Sequence, residues 1–194
     1  GLPICWNENN QLSADLINIY IKNQTVDYMH GIGNGLMVKQ DGQNEYNQMA
    51  GKEMLAYVRN EDVYLVDVQG NAETVFYPKE DDGSYVGVNR TQSSFVKVYL
   101  NERKIDHVLF TTATTGELIP MDQALPEETK LNGFFWAEAE RPKQAKDIFL
   151  HPERTKRPEA KAISASAEDE EEEESEVKGR AKSKQRLNEN KQIR

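Results

Sequence analysis

SADLINIYIKNQTVDYM (residues 13–29) has two further copies in the chain, AGKEMLAYVRNEDVYLV (50–66) and QSSFVKVYLNERKIDHV (92–108), and their alignment decides the fold class. Tyr20, Tyr57 and Tyr99 coincide in this register, at offsets of 37 and 42 residues. Ile17 then falls on Met54 and Val96, Ile19 on Ala56 and Val98, Ile21 on Val58 and Leu100, and Val26 on Val63 and Ile105. Every one of these columns is apolar. Apolar residues two apart line one side of an extended chain, so each copy opens as a strand with one dry face.

Between the last two columns each copy carries a polar step, KNQT (22–25), RNED (59–62) and NERK (101–104), which suits a tight turn between antiparallel strands. Each unit therefore reads as a β-hairpin. The first two units end alike, with Gly33-Asn34 aligned on Gly70-Asn71. Further alternating strands fit residues 35–40, 72–78, 84–88 and 107–113, separated by the turn-forming runs QDGQN and EDDGS. About nine or ten strands result, with a single short helix expected over 141–150 from its Pro start and apolar spacing. The alternation requires an antiparallel sheet that packs on something, which leaves a sandwich, a jelly roll or an open roll with solenoid-like stacking. A closed barrel is disfavoured, because the central glycine kinks that closure needs are not evident.

Composition divides the chain. From His151 onward there is no Trp, Tyr or Phe, and charged residues crowd together, so residues 151–194 read as a disordered tail and 1–150 as one β domain. The tail holds 11 acidic and 11 basic residues, segregated into an acidic block (168–174) and a mostly basic end, so the formal charge of -9 belongs to the body. An acidic body argues against nucleic acid as a partner, since a phosphate-backbone binder carries a basic stripe. Cys5 is the one cysteine, which excludes an intrachain disulfide and a cysteine-based metal site. No run approaches the roughly 18 apolar residues of a membrane-spanning helix, and GLPICWNENN lacks the basic start and apolar stretch of a signal peptide.

Signatures of catalysis are missing. His30, His107 and His151 are too far apart for a metal-ligand spacing and read as surface or strand-edge residues; no metal or cofactor is implied. EDD (80–82) before Gly83 lacks the alternating oxygen ligands of a calcium loop and reads as a turn. HGIGNG (30–35) has no helix start behind it, so its glycines read as a strand end needing positive φ rather than a phosphate cradle. NQT (23–25) and NRT (89–91) match the glycosylation acceptor pattern, which recurs by chance. No catalytic residue is assigned.

The start PICWNENNQLSAD and the finish LNGFFWAEAERP carry a family resemblance. Pro3 to Trp6 leads through Gln11 to Ala14-Asp15, and Leu131, Gly133, Phe134 and Trp136 precede Arg141-Pro142. In these segments the chain resembles the OstA-like proteins of Bacteroidetes-type bacteria, relatives of the lipopolysaccharide-transport protein LptA, over residues 3–150. The resemblance implies an all-β, antiparallel open β-jelly roll (the LptA-like "β-taco") whose sheets part to admit lipopolysaccharide acyl chains. It also implies uncapped ends that stack on other Lpt-type rolls or on a second copy, and a place in the periplasm, associated with outer-membrane biogenesis. Members of that family are usually longer and begin with a signal sequence, so the resemblance implies that this chain is a C-terminal portion.

The candidate lipid wall is then the first three columns: Ile17, Ile19, Ile21, Met54, Ala56, Val58, Val96, Val98 and Leu100. The same nine residues would serve equally as ordinary core. A different function class, an extracytoplasmic binding or adhesion module for a glycan or protein, is suggested by Tyr20, Tyr57 and Tyr99 on the opposite face, together with Trp6 and Trp136.

Overall fold

The computed structural model describes residues 2–144, 146 and 147; the expected tail therefore lies outside the described residues. Nine antiparallel strands form one open sheet: β1 (Ile4–Asn7), β2 (Asn10–Ser13), β3 (Leu16–Lys22), β4 (Thr25–Gln40), β5 (Tyr46–Arg59), β6 (Asp62–Phe76), β7 (Gly87–Asn101), β8 (Lys104–Thr111) and β9 (Thr115–Pro120). The order is β1-β2-β4-β5-β6-β7-β8, with β3 also on β4 and β9 also on β7.

The three aligned copies are hairpins, as their pattern requires. In each, both central turn residues take positive φ: Asn23 and Gln24, Asn60 and Glu61, Glu102 and Arg103. Two successive residues in this region define the turn whose twist matches that of the flanking strands. Three residues later each hairpin carries the same bulge, at Asp27, Tyr64 and Asp106, where the register shifts by one.

Where the repeat units were expected to end, the strands instead continue through a kink. Gly33-Asn34 lies inside β4 and Gly70-Asn71 inside β6, all four at positive φ. A third pair, Thr112-Ala113, sits at the equivalent place and separates β8 from β9. Opposite these pairs the ladders skip Asp15 between β2 and β3, Lys52 in β5 and Ser94 in β7, and two of the three, Asp15 and Ser94, donate their N–H to the Gly33 and Thr112 carbonyls (2.8 and 3.1 Å). The glycine kinks thought absent are thus present, and they align into a crease that folds the sheet upon itself without closing it.

The crease divides the sheet into two wings. A hairpin wing holds residues 16–32, 53–69 and 95–111, and a lower wing holds β1, β2, β9 and the remaining halves of β4–β7. Their inner faces meet in one core, where Leu12 and Ala72 of the lower wing pack with Met54, Ala56, Val66, Val68, Val96 and Val98 of the hairpin wing. Close approach at the crease explains two glycines whose φ is not positive. A Cβ on Gly35 would lie 2.8 Å from Met54 Cγ, and one on Gly51 would lie 2.5 Å from Val68 Cγ1. Of the three glycines in HGIGNG, then, Gly33 alone takes positive φ, while Gly31 and Gly35 are buried at the fold.

The outer face of the lower wing is covered by the segment that follows β9. This second core joins Leu36, Val38, Val75, Tyr77 and Val88 to Leu131, Phe135 and Ala137. Of the helix expected over 141–150, residues 145 and 148–150 lie outside the described residues, and 146 and 147 take 3-10 geometry. Residues 141–144 are irregular, and the chain turns where Asp147 N–H meets the Gln144 carbonyl (2.9 Å). Ahead of that span, Glu138–Glu140 form a 3-10 turn.

Candidate functional site

The hairpin wing presents its inner face as cross-strand rows. Nearest the crease runs Ile17, Gly31, Met54, Val68, Val96 and Phe110; the next row is Ile19, Met29, Ala56, Val66, Val98 and Val108. At the tips, Ile21 stands opposite Val26, Val58 opposite Val63 and Leu100 opposite Ile105. The aligned columns are therefore physical rows, and the returning strands complete them. Facing them across the fold, the lower wing contributes Cys5, Leu12, Met37 and Met49 in adjacent register. Met29, Met37, Met49 and Met54 all belong to or pack against this core, giving it unbranched thioether side chains that adapt to irregular space.

Exposure grades along the wall. Met54, Ala56, Val96 and Val98 are 0–3% exposed and act as core, whereas Ile19 and Ile21 are 51% and 69% exposed at the mouth. Ile17, Val58 and Leu100 are half-buried between the two. Beyond the pairs Tyr28–Tyr57 and Leu65–Tyr99 no further register joins neighbouring hairpins. Between the first two tips lies a depression of about 530 Å³, lined by Lys22, Thr25, Val26, Val58, Arg59 and Glu61 among others. It is polar at its rim and lies outside the buried rows.

The outer face of the hairpin wing carries the tyrosine row Tyr20, Tyr28, Tyr57, Leu65, Tyr99 and His107. Tyr20 stacks on Tyr28 at 4.2 Å and Tyr99 on His107 at 4.3 Å, so the rings cover one another's faces. His30 pairs with Glu53 (2.9 Å), and Asp67 is buried beneath Lys97 (3.6 Å) and Gln69 (3.3 Å). Among the described residues no cluster of His, Cys, Asp and Glu could hold a metal. EDD is the expected turn, closed by Gly83 at positive φ and by Ser84 donating to Asp82, which holds that carboxyl below its usual range. Burial pushes the Cys5 thiol above its ordinary pKa and does the same to the Tyr77 phenol. Neither group is poised as a nucleophile or base.

Sequence reading missed a rung that the structure makes plain. Gln11, Gln48 and Arg90 lie on one cross-strand row of the lower wing, one per repeat, and all three grip the backbone of the covering segment. Gln11 Nε2 donates to the Phe135 carbonyl (3.1 Å) and its Oε1 accepts from Ala137 N–H (2.8 Å). Gln48 does the same with the Thr129 carbonyl (2.9 Å) and Leu131 N–H (2.8 Å). Arg90 Nη1 donates to the carbonyls of Glu127, Glu128 and Lys130 (3.1, 2.9 and 3.3 Å). Their offsets are the 37 and 42 residues of the tyrosines, so extending the alignment by a few positions would have exposed the column. Trp6 and Trp136 meet at the end of this strap, edge to face at 4.9 Å.

No family model matches the chain, and no curated protein matches it.

Proposed function

We propose that this domain is a non-enzymatic carrier that shelters the acyl chains of lipopolysaccharide in the fold between its wings, serving outer-membrane biogenesis from the periplasm. The observation that carries the reading is the apolar wall itself. Its rows pass without a polar interruption from a packed core at the crease to isoleucines at the mouth. Sequestering a lipid CH2 contributes about 0.8 kcal/mol, so a dozen methylenes along such rows would offset roughly 10 kcal/mol of aqueous exposure. The methionines supply the adaptable surface that a flexible chain needs. The resemblance of the first and last segments to OstA-like proteins supports the same reading, with further Lpt-type rolls or a second copy as partners along the open edges.

An acidic body repels an anionic headgroup, so in this reading the headgroup projects from the mouth and only the acyl chains are enclosed. A photo-crosslinking residue at Ile19 or Ile21, both at the mouth, should capture lipid in a native envelope extract, with the adduct identified by mass spectrometry. Adducts at Tyr20 on the outer face, with none at Ile19 or Ile21, would overturn the proposal. That outcome would favour the second reading, an extracytoplasmic binding or adhesion module using the tyrosine row. Its supporting observation is the uncovered run of aromatic side chains from Tyr20 to Tyr57.

A further inference from the structure

We infer that Arg103 is a clasp joining the two wings across the mouth, so that it regulates access to the apolar wall between them. The inference rests on the carrier reading for its purpose and on geometry for its existence. Arg103 is the second central residue of the third hairpin's turn, at the tip of the hairpin wing. Its Nε donates to Asp62 Oδ1 (2.6 Å), at the start of β6 on the same wing. Its Nη1 donates to Glu8 Oε1, in the β1–β2 turn of the lower wing, 95 residues away in sequence. One guanidinium fork thus ties together three turns and both wings, a geometry that a lysine's single ammonium would not reproduce.

Beside the clasp the wall is partly covered. Val63 and Leu100, beside the bridged turns, pack against the core together with Cys5 of the facing wing. At the first hairpin, whose tip takes no part in the clasp, Ile19 and Ile21 stand open. On the third hairpin, Ile105 and Val108 of β8 are 37% and 38% exposed, so the wall is open at both flanks and partly covered between them. Positive-φ pairs along the crease allow the wings to part there without breaking the ladders within either wing.

Cys5 gives a reporter that needs no lipid, because it is the one thiol of the chain and its side chain packs, partly buried, against the core between the wings. In the full chain, its rate of reaction with a neutral pyridyl disulfide measures opening. Arg103→Gln should raise that rate about two- to five-fold, the range that exposed ion pairs of modest worth allow. Glu8→Gln should match it, and the double variant should add nothing further. Salt at about 0.5 M should accelerate the native protein and leave Arg103→Gln unchanged, since screening acts only on a clasp that is present. Glu102→Gln, at a neighbouring position with no part in the clasp, should leave the rate unaltered. Equal rates in native protein, Arg103→Gln and Glu8→Gln would overturn the inference, as would additive effects of the two variants. Lipid adducts at Ile19 with unchanged Cys5 rates would remove the clasp and keep the carrier. Accelerated Cys5 with no adducts at Ile19 would keep the clasp and remove the carrier.

Discussion

At the scale of single residues, the fold turns on where the backbone adopts positive φ. Side chains with a Cβ are strained there by roughly 1 kcal/mol, and β-branched ones by more, while glycine is not. The crease uses glycine first in two of its three pairs, Gly33-Asn34 and Gly70-Asn71, but Thr112-Ala113 in the third. Thr112→Gly should therefore stabilise the protein by about 1 kcal/mol, and Gly70→Thr should destabilise it by about 1–2 kcal/mol. Urea midpoints at unchanged slope would measure both; a Thr112→Gly variant less stable than the native chain would contradict the account. This residue-scale logic was half legible. Gly-Asn announces a special backbone, so the first two pairs stood out, although as strand ends. Thr-Ala carries no such signature, and only its spacing from Gly70 marks it.

At the scale of elements, the strap across the lower wing accounts for the segments that carried the family resemblance. Pro-x-x-Trp and Leu-x-Gly-Phe-x-Trp meet as Trp6 against Trp136, and Gln11 holds the backbone on either side of that tryptophan. These motifs specify packing of a cover onto a sheet, which agrees with their lack of any catalytic pattern. Gln48 is buried at the middle of the rung. Gln48→Ala leaves the Leu131 N–H without its partner beneath the strap, and the Thr129 carbonyl with the Tyr77 hydroxyl alone (3.3 Å), and should cost about 1–3 kcal/mol. Arg90→Ala should cost less, because the carbonyls it serves are near enough to solvent to take water. Equilibrium unfolding followed by tryptophan emission tests the order, since both tryptophans report on the docked strap. Equal losses would mean that the strap is held by apolar burial alone. The rung escaped sequence reading because glutamine gives no periodic apolar signal, and because the glutamines' partners in the strap lie 81 to 126 residues away.

At the scale of the whole molecule, the sheet is open at both sides. β3 lies at the end of the hairpin wing with one side unpaired, and β8 lies at the other. Unpaired N–H and C=O groups on a flat edge invite another strand, and two different edges meeting head to tail build an open chain rather than a closed dimer. Sedimentation velocity over a hundred-fold range of concentration, as a rough span suited to weak contacts, should show progressive self-association. It should weaken when Val108 in β8 is replaced by proline, which removes a donor from the exposed edge. A strict monomer at all concentrations would exclude edge stacking by this chain.

The sequence by itself determined the class of structure: period-two alternation in three aligned copies, each with a polar turn, admits little but antiparallel hairpins. Those are local relations, settled within about twenty residues by side-chain direction and turn sterics. Only the tertiary structure decided how the nine candidate wall residues divide, with Met54, Ala56, Val96 and Val98 in the core and Ile19 and Ile21 at the mouth. An alternating strand has the same dry face whether it meets a partner or water. The crease, the strap and the Arg103 bridge to Glu8 settle which it meets, and each joins residues or repeats whose proximity no local pattern encodes.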